Sequence, residues 1–162
     1  RMIRSQRRPF CLAAAAYPES HVESRSADED LRHLVDKVAA GVDVLITQLF
    51  FDNRHYFEFV DRARAAGITV PIVPGILPIT NYAQLKRFAG TCGAKLPDWL
   101  ASLFEGSDDN PELRGLIAAS IATEQCRLLR AAGVSLQNFG IGASWRRLTS
   151  GRRRTASPGS AR

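Results

Sequence analysis

The spacing of its apolar runs constrains this chain more than anything else. Short runs centred near Ala13, Ile46 and Val73 recur about every 30 residues, the length of one strand–helix unit. Units of that length build parallel sheets with right-handed crossovers. Strands are expected over 10–16, 42–50 and 70–76, and helices over 27–40, 54–66 and 82–91. Ser26-Ala27-Asp28-Glu29 reads as a capping box ahead of Leu31, Leu34, Val35, Val38 and Ala39, which step by three and four along one face. Asn53 is expected to cap the second helix, with Tyr56, Phe57, Val60 and Ala63 inward and Gly67 closing it. Pro71, Pro74 and Pro78 keep the third strand short, because proline removes a ladder donor. Asn81 caps a third helix, Pro97 is expected at the first position of a short helix ending near Phe104, and Pro111 opens a long helix closed by Gly133.

Composition sets the size. The chain has 162 residues, 45% hydrophobic and 23% charged, enough for one domain. A complete (β/α)8 barrel needs at least about 200 residues. The net charge of +6 resides at the ends. Residues 1–8 carry four arginines and 146–162 carry six, while 9–145 hold twelve basic residues against all sixteen acids, a net of −4. A nucleic-acid binder would place basic residues on a folded face among aromatics, so none is expected as a partner. Residues 1–9 and 143–162 are expected to be disordered basic segments, with the folded unit over 10–142. Arg4, Arg7 and Arg8 before Pro9–Ala16 have the outline of a signal peptide, but the apolar run is short and ends in Tyr-Pro-Glu, as a buried strand would. Cys11, Cys92 and Cys126 lie far apart without metal-ligand spacing, which suits a reduced, cytoplasmic chain. No apolar run approaches the roughly 20 residues of a membrane span.

Chemistry is expected at the carboxyl ends of the strands, where α/β proteins assemble their sites. Tyr17-Pro18-Glu19-Ser20-His21 follows the first strand, Thr47-Gln48 ends the second, and Pro74-Gly75-Ile76-Leu77-Pro78 ends the third. A glutamine there orients a ligand by donating and accepting hydrogen bonds, or pairs with backbone. Asp52 reads as a loop or cap residue. Asp30, His33 and Lys37 share one helical face, by default a solvated one. His21, His33 and His55 lack metal-binding spacing, and no phosphate loop or nucleophile elbow occurs. These residues alone name no reaction.

Taken together, the segments resemble the methylenetetrahydrofolate reductase family. The resemblance rests on Ala15-Ala16-Tyr17-Pro18-Glu19-Ser20-His21, Ile46-Thr47-Gln48-Leu49-Phe50-Phe51-Asp52 and Ile72-Val73-Pro74-Gly75-Ile76-Leu77-Pro78. Asn81-Tyr82, Gln84, Phe88 and Pro97-Asp98-Trp99 extend it. It implies the C-terminal half of a (β/α)8 TIM barrel, with parallel strands and outer helices. It implies FAD, and hydride passing from NAD(P)H through the flavin to 5,10-methylenetetrahydrofolate, giving 5-methyltetrahydrofolate. Tyr17, His21, Asp30 and Lys37 take the places of FAD contacts. His33 stands at a further FAD-side position, where the family more often has Asn, and Asp36 where it more often has Arg. Gln48 matches the glutamine that meets folate and nicotinamide in turn, and Gln84 and Phe88 match substrate contacts. The family's glutamate general acid belongs to the other half of the barrel, so no catalytic residue is assigned. The alternative is an inactive truncated remnant, or a subunit completed by a partner chain or a homo-oligomer.

Overall fold

The structure, a computed structural model, describes residues 11–79 and 81–134. The expected basic ends, Phe10 and residues 135–142 of the expected folded unit lie outside the described residues. The element order is β1 (Ala13–Ala16), α1 (Ala27–Ala39), β2 (Val44–Leu49), α2 (Asn53–Ala65), β3 (Ile72–Gly75), α3 (Tyr82–Cys92), α4 (Asp98–Phe104) and α5 (Pro111–Ala131). Among the described residues the strands form one sheet, ordered β1-β2-β3, with both pairings parallel.

Local chemistry sets most of the boundaries. Ser26 caps α1 by accepting the Glu29 amide at 3.1 Å, while the Glu29 carboxylate takes the Arg25 amide at 2.7 Å. Asn81 and Asn110 cap α3 and α5 in the same way. Pro111 sits in the first turn of α5, where its missing N–H has no intrahelical partner to lose. Two cap assignments change. Asp52, not Asn53, caps α2, its carboxylate accepting the Arg54 amide at 2.9 Å. That frees Asn53 to reach the α5 backbone, donating to the Gln125 carbonyl at 3.3 Å. Pro97 is the N-cap of α4 rather than its first residue, with extended backbone at φ −62° and ψ 146°.

The sheet has two unlike faces. Ala14, Leu45 and Ile72 share a row in the strand register and belong to the first core. There they meet Leu34 of α1, Tyr56, Phe59 and Ala63 of α2, and Leu129 of α5. Phe59 is buried, whereas Phe57 and Val60, expected inward, are half-buried at the margin of that core. The opposite row, Ala15, Ile46 and Val73, runs from exposed at Ala15 to buried at Val73. A second core gathers Leu49, Phe51 and Ile79 with Leu85 of α3 and Leu100 and Phe104 of α4. So α1 and α2 cover the sheet directly, while α3 packs in a neighbouring core. Two buried polar bonds hold the layers in register. Tyr56 Oη donates to the Ile72 carbonyl at 2.8 Å, and Gln125 Nε2 to the Phe50 carbonyl at 2.7 Å.

Leu45 is 0% exposed at the centre of the first core, whereas Leu116 on α5 is 67% exposed. Leu45→Ala is therefore expected to cost about 2–5 kcal/mol of unfolding free energy. Leu116→Ala should stay within about 0.5 kcal/mol of the parent. Urea unfolding of both variants checks the pair, and equal losses would contradict this core.

Candidate functional site

Parallel register brings the carboxyl ends of β1, β2 and β3 to one edge of the sheet. Around the end of β1, four of the five expected cofactor-side residues converge. The rings of Tyr17 and His21 meet edge to face at 4.6 Å. Lys37 Nζ, arriving from α1, donates to the Ala15 carbonyl at 3.2 Å and stands 5.9 Å from the Tyr17 ring centroid. Asp30, in the first turn of α1, accepts the His21 amide at 3.1 Å and the Ser24 hydroxyl at 3.4 Å. Its carboxylate therefore closes the loop locally. Ser20 holds φ +74°, a left-handed conformation that non-glycine residues seldom adopt. His33 is exposed on α1, and among the described residues no hydrogen bond or ring contact joins it to this cluster. Asp36 is exposed as well.

One residue of this loop was not singled out from the sequence. The Glu19 side chain is 5% exposed. Its Oε2 accepts the Lys95 amide at 3.0 Å and lies 3.9 Å from His55 Nε2, while Oε1 is buried with no hydrogen-bond partner among the described residues. Burial pushes the Glu19 carboxyl above the ordinary glutamate value, against the lowering effects of the Lys95 amide and of the His55 and Lys95 charges. Its place inside the Tyr17–His21 segment was the available signal, but a glutamate beside a proline ordinarily reads as loop surface.

At the end of β2, Gln48 is half-buried and its Oε1 accepts the Leu49 amide at 3.0 Å. Thr47, 5% exposed, accepts the Gly75 amide on its hydroxyl at 2.9 Å. The register shifts between Ile46 and Leu49 at this point. Gln84 and Phe88, on α3, line a separate cleft of about 290 Å³ with Leu77, Pro78, Ile79 and Asn81. Among the described residues no hydrogen bond or ring contact links them to Gln48. A wider cleft of about 740 Å³ runs between α2, α4 and α5, where Phe57, Trp99, Leu103 and Leu128 face Asn53 and Glu124. Asp52 is a helix cap whose carboxyl is held below its ordinary value by the hydrogen bonds from Arg54, consistent with the loop-or-cap reading. Among the described residues no group of three or more His, Cys, Asp or Glu side chains is placed to hold a metal, and no helix is long and apolar enough to cross a membrane.

Comparison with known proteins decides the family. The methylenetetrahydrofolate reductase family model matches residues 1–140. The chain belongs to the methylenetetrahydrofolate reductase family. It is 46% identical over 130 residues to the 5,10-methylenetetrahydrofolate reductases of Pectobacterium carotovorum and of Escherichia coli K12, which covers 80% of this chain and 44% of each relative. It is 39% identical over 135 residues to methylenetetrahydrofolate reductase (NADH) 1 of Arabidopsis thaliana, covering 78% of this chain and 23% of that one. The chain thus spans less than half the length of these reductases. Among solved structures it resembles an uncharacterized Clostridium thermocellum protein described as binding two copies of 5-methyl-5,6,7,8-tetrahydrofolic acid. The TM-score is 0.52 at 20% identity, over 78% of this chain and 45% of that one, a likeness of fold.

Glu19 gives the reductase-family loop a testable pH signature. Its pKa is higher folded than unfolded, so the folded state favours the neutral acid. That contribution to stability is fully present below the ordinary glutamate value and is lost as pH rises through the raised one. Glu19→Gln should therefore gain on the parent across that window. Urea midpoints of both proteins at a series of pH values measure the gap, and a gap that stays constant would contradict the buried carboxyl.

Proposed function

We propose that this chain forms the C-terminal half of a (β/α)8 reductase barrel that converts 5,10-methylenetetrahydrofolate to 5-methyltetrahydrofolate with FAD and NADH or NADPH. The observation that carries the reading is the gathering of Tyr17, His21 and Lys37, then Gln48, then Gly75, at the same ends of three adjacent parallel strands in a member of this family. The names of the relatives support the reaction, and the folate bound by the Clostridium thermocellum protein supports the substrate class.

The residues at the end of β1 suit FAD in kind. Two aromatic rings offer flat faces, and the Lys37 ammonium beside them suits an anionic pyrophosphate. Asp30 serves that site by fixing the backbone of His21, which keeps its carboxylate engaged away from phosphate. His33 and Asp36, both exposed on α1, add nothing evident to the cradle. FAD, when bound, would supply the hydride relay between nicotinamide and folate. Gln48 would hold either planar ligand in turn, which suits two substrates that alternate in one site. Gln84 and Phe88 would flank the folate from the neighbouring cleft.

A second reading, that this chain is inactive without a completing chain, is favoured by the sheet itself. Among the described residues β1 and β3 each have one unpaired edge, and Ala13 and Ala15 are exposed on the face away from the helices. The two readings are compatible: the half-barrel contributes its cluster, and the completing strands contribute the general acid. A positioned general acid is typically worth 10²–10⁴-fold.

Two measurements test this. The purified 162-residue chain should be colourless, without flavin absorbance, and should not oxidise reduced nicotinamide with a quinone acceptor. A yellow protein with stoichiometric FAD and turnover would overturn the requirement for a completing chain. In a barrel completed with the N-terminal half of the Escherichia coli relative, Gln48→Ala should lower folate turnover by about 5- to 150-fold, the effect of one unpaired polar ligand group. Flavin content should stay at the parent level, and unchanged folate turnover would remove Gln48 from the site.

A further inference from the structure

We propose that Thr47, acting across the strand pair on Pro74–Gly75, is the positioning residue that sets the Gln48 carboxamide as a hydrogen-bond donor to a carbonyl-bearing ligand. The inference rests on Gln48 being a substrate contact, as read above.

The device begins with a missing donor. Ile46 pairs with Val73 and Leu49 with Gly75, so β2 places two residues, Thr47 and Gln48, opposite the single Pro74 of β3. Proline has no N–H, so it cannot donate to the neighbouring strand at this point. A bulge absorbs the mismatch, and bulges beside functional sites re-aim a side chain. Thr47 holds this one closed, because its buried hydroxyl accepts the Gly75 amide at 2.9 Å. Glycine is required opposite it, since a Cβ at Gly75 would overlap the Thr47 carbonyl oxygen. Each half of the device therefore needs the other: a hydroxyl on β2, and no side chain on β3.

The consequence falls on Gln48. Inside the bulge its Oε1 accepts the amide of the next residue, Leu49, at 3.0 Å. With its oxygen engaged by its own strand, and no acceptor for Nε2 among the described residues, the carboxamide has two donor hydrogens left for a ligand. The ligand group it suits is an acceptor, such as the carbonyl of a pterin or of a carboxamide. Thr47 touches no ligand in this scheme. It acts by keeping the bulge, and with it the Leu49 amide, in place.

The test uses the full 162-residue chain, labelled for NMR, as the parent and as Thr47→Val, Thr47→Ser and Gln48→Ala. In Thr47→Val the Gly75 amide should exchange roughly 2- to 10-fold faster, the effect of one lost hydrogen bond. The Gln48 side-chain amide signals, assigned by their loss in Gln48→Ala, should move, and Thr47→Ser should restore both. Parent-like Gly75 exchange and Gln48 signals in Thr47→Val would overturn the inference. If Thr47→Val does not fold, the parent decides. Slow exchange at both Leu49 and Gly75 supports the device, and fast exchange at either overturns it. Titration with 5-methyltetrahydrofolate of a barrel completed with the N-terminal half of the Escherichia coli relative, as the parent and as Gln48→Ala, separates this from the reading beneath it. Shifts in the parent that are equal in Gln48→Ala, or absent from the parent, would reject Gln48 as a substrate contact. The exchange data judge the positioning role in either case.

Discussion

β2 is paired along both edges and packed on its helix-facing side, and the other elements take their places from it. Leu45 enters the first core and Leu49 the second, so one six-residue strand joins the two. Burying a leucine of this kind contributes about 1.5–3 kcal/mol. Parallel pairing on both edges then sends all three strands the same way. The loops that follow them must emerge on the same side, which is why residues 17, 48 and 75 lie at one end of the sheet.

The loop after β1 is held by polar tethers. Lys37 ties the end of the strand, Asp30 takes the His21 amide, and Arg62 of α2 donates to the Pro18 carbonyl at 3.4 Å. Glu19 reaches across to Lys95, 76 residues away in sequence. These bonds place the Tyr17 and His21 rings against each other despite a left-handed Ser20 between Glu19 and His21. Glu19 does so at a cost, since one carboxylate oxygen is buried without a hydrogen-bond partner among the described residues. Asp52 shows the opposite balance. Near solvent and bonded to Arg54, it stays readily ionised and serves as a cap.

The two sheet faces differ in what covers them. The helix-facing row is apolar and covered, as the outer layer of a barrel strand would be. The opposite row is partly covered and also apolar, which in a barrel is the interior filled by side chains from other strands. The chain spans 44% of its bacterial relatives. The clefts flanking the sheet hold Gln84 and Phe88 apart from Gln48, because α3 packs with α4 in the second core.

The strand–helix order, the helix stops and the strand-end location of Tyr17, His21 and Gln48 were legible in the sequence, because they follow from periodicity, capping chemistry and the short range of helix and turn signals. The AAYPE-x-H, ITQ-x-FFD and PGILP segments identified the family as well. Asp52 taking the cap from Asn53 was not legible, since both residue types cap helices and the choice turned on Asn53 reaching the Gln125 carbonyl on α5. Phe59 in place of Phe57 follows from helical spacing, since Phe59 lies three residues after Tyr56 and four before Ala63 on one face, whereas Phe57, two residues away, is turned to another. Tertiary structure alone buried Glu19 and set Thr47 against Gly75. Those contacts join residues 76 and 28 positions apart, and no local pattern encodes them. Sequence determined which segments become strands and helices, since that depends on neighbours along the chain. Only the packed sheet decided which polar groups lose water and which find partners.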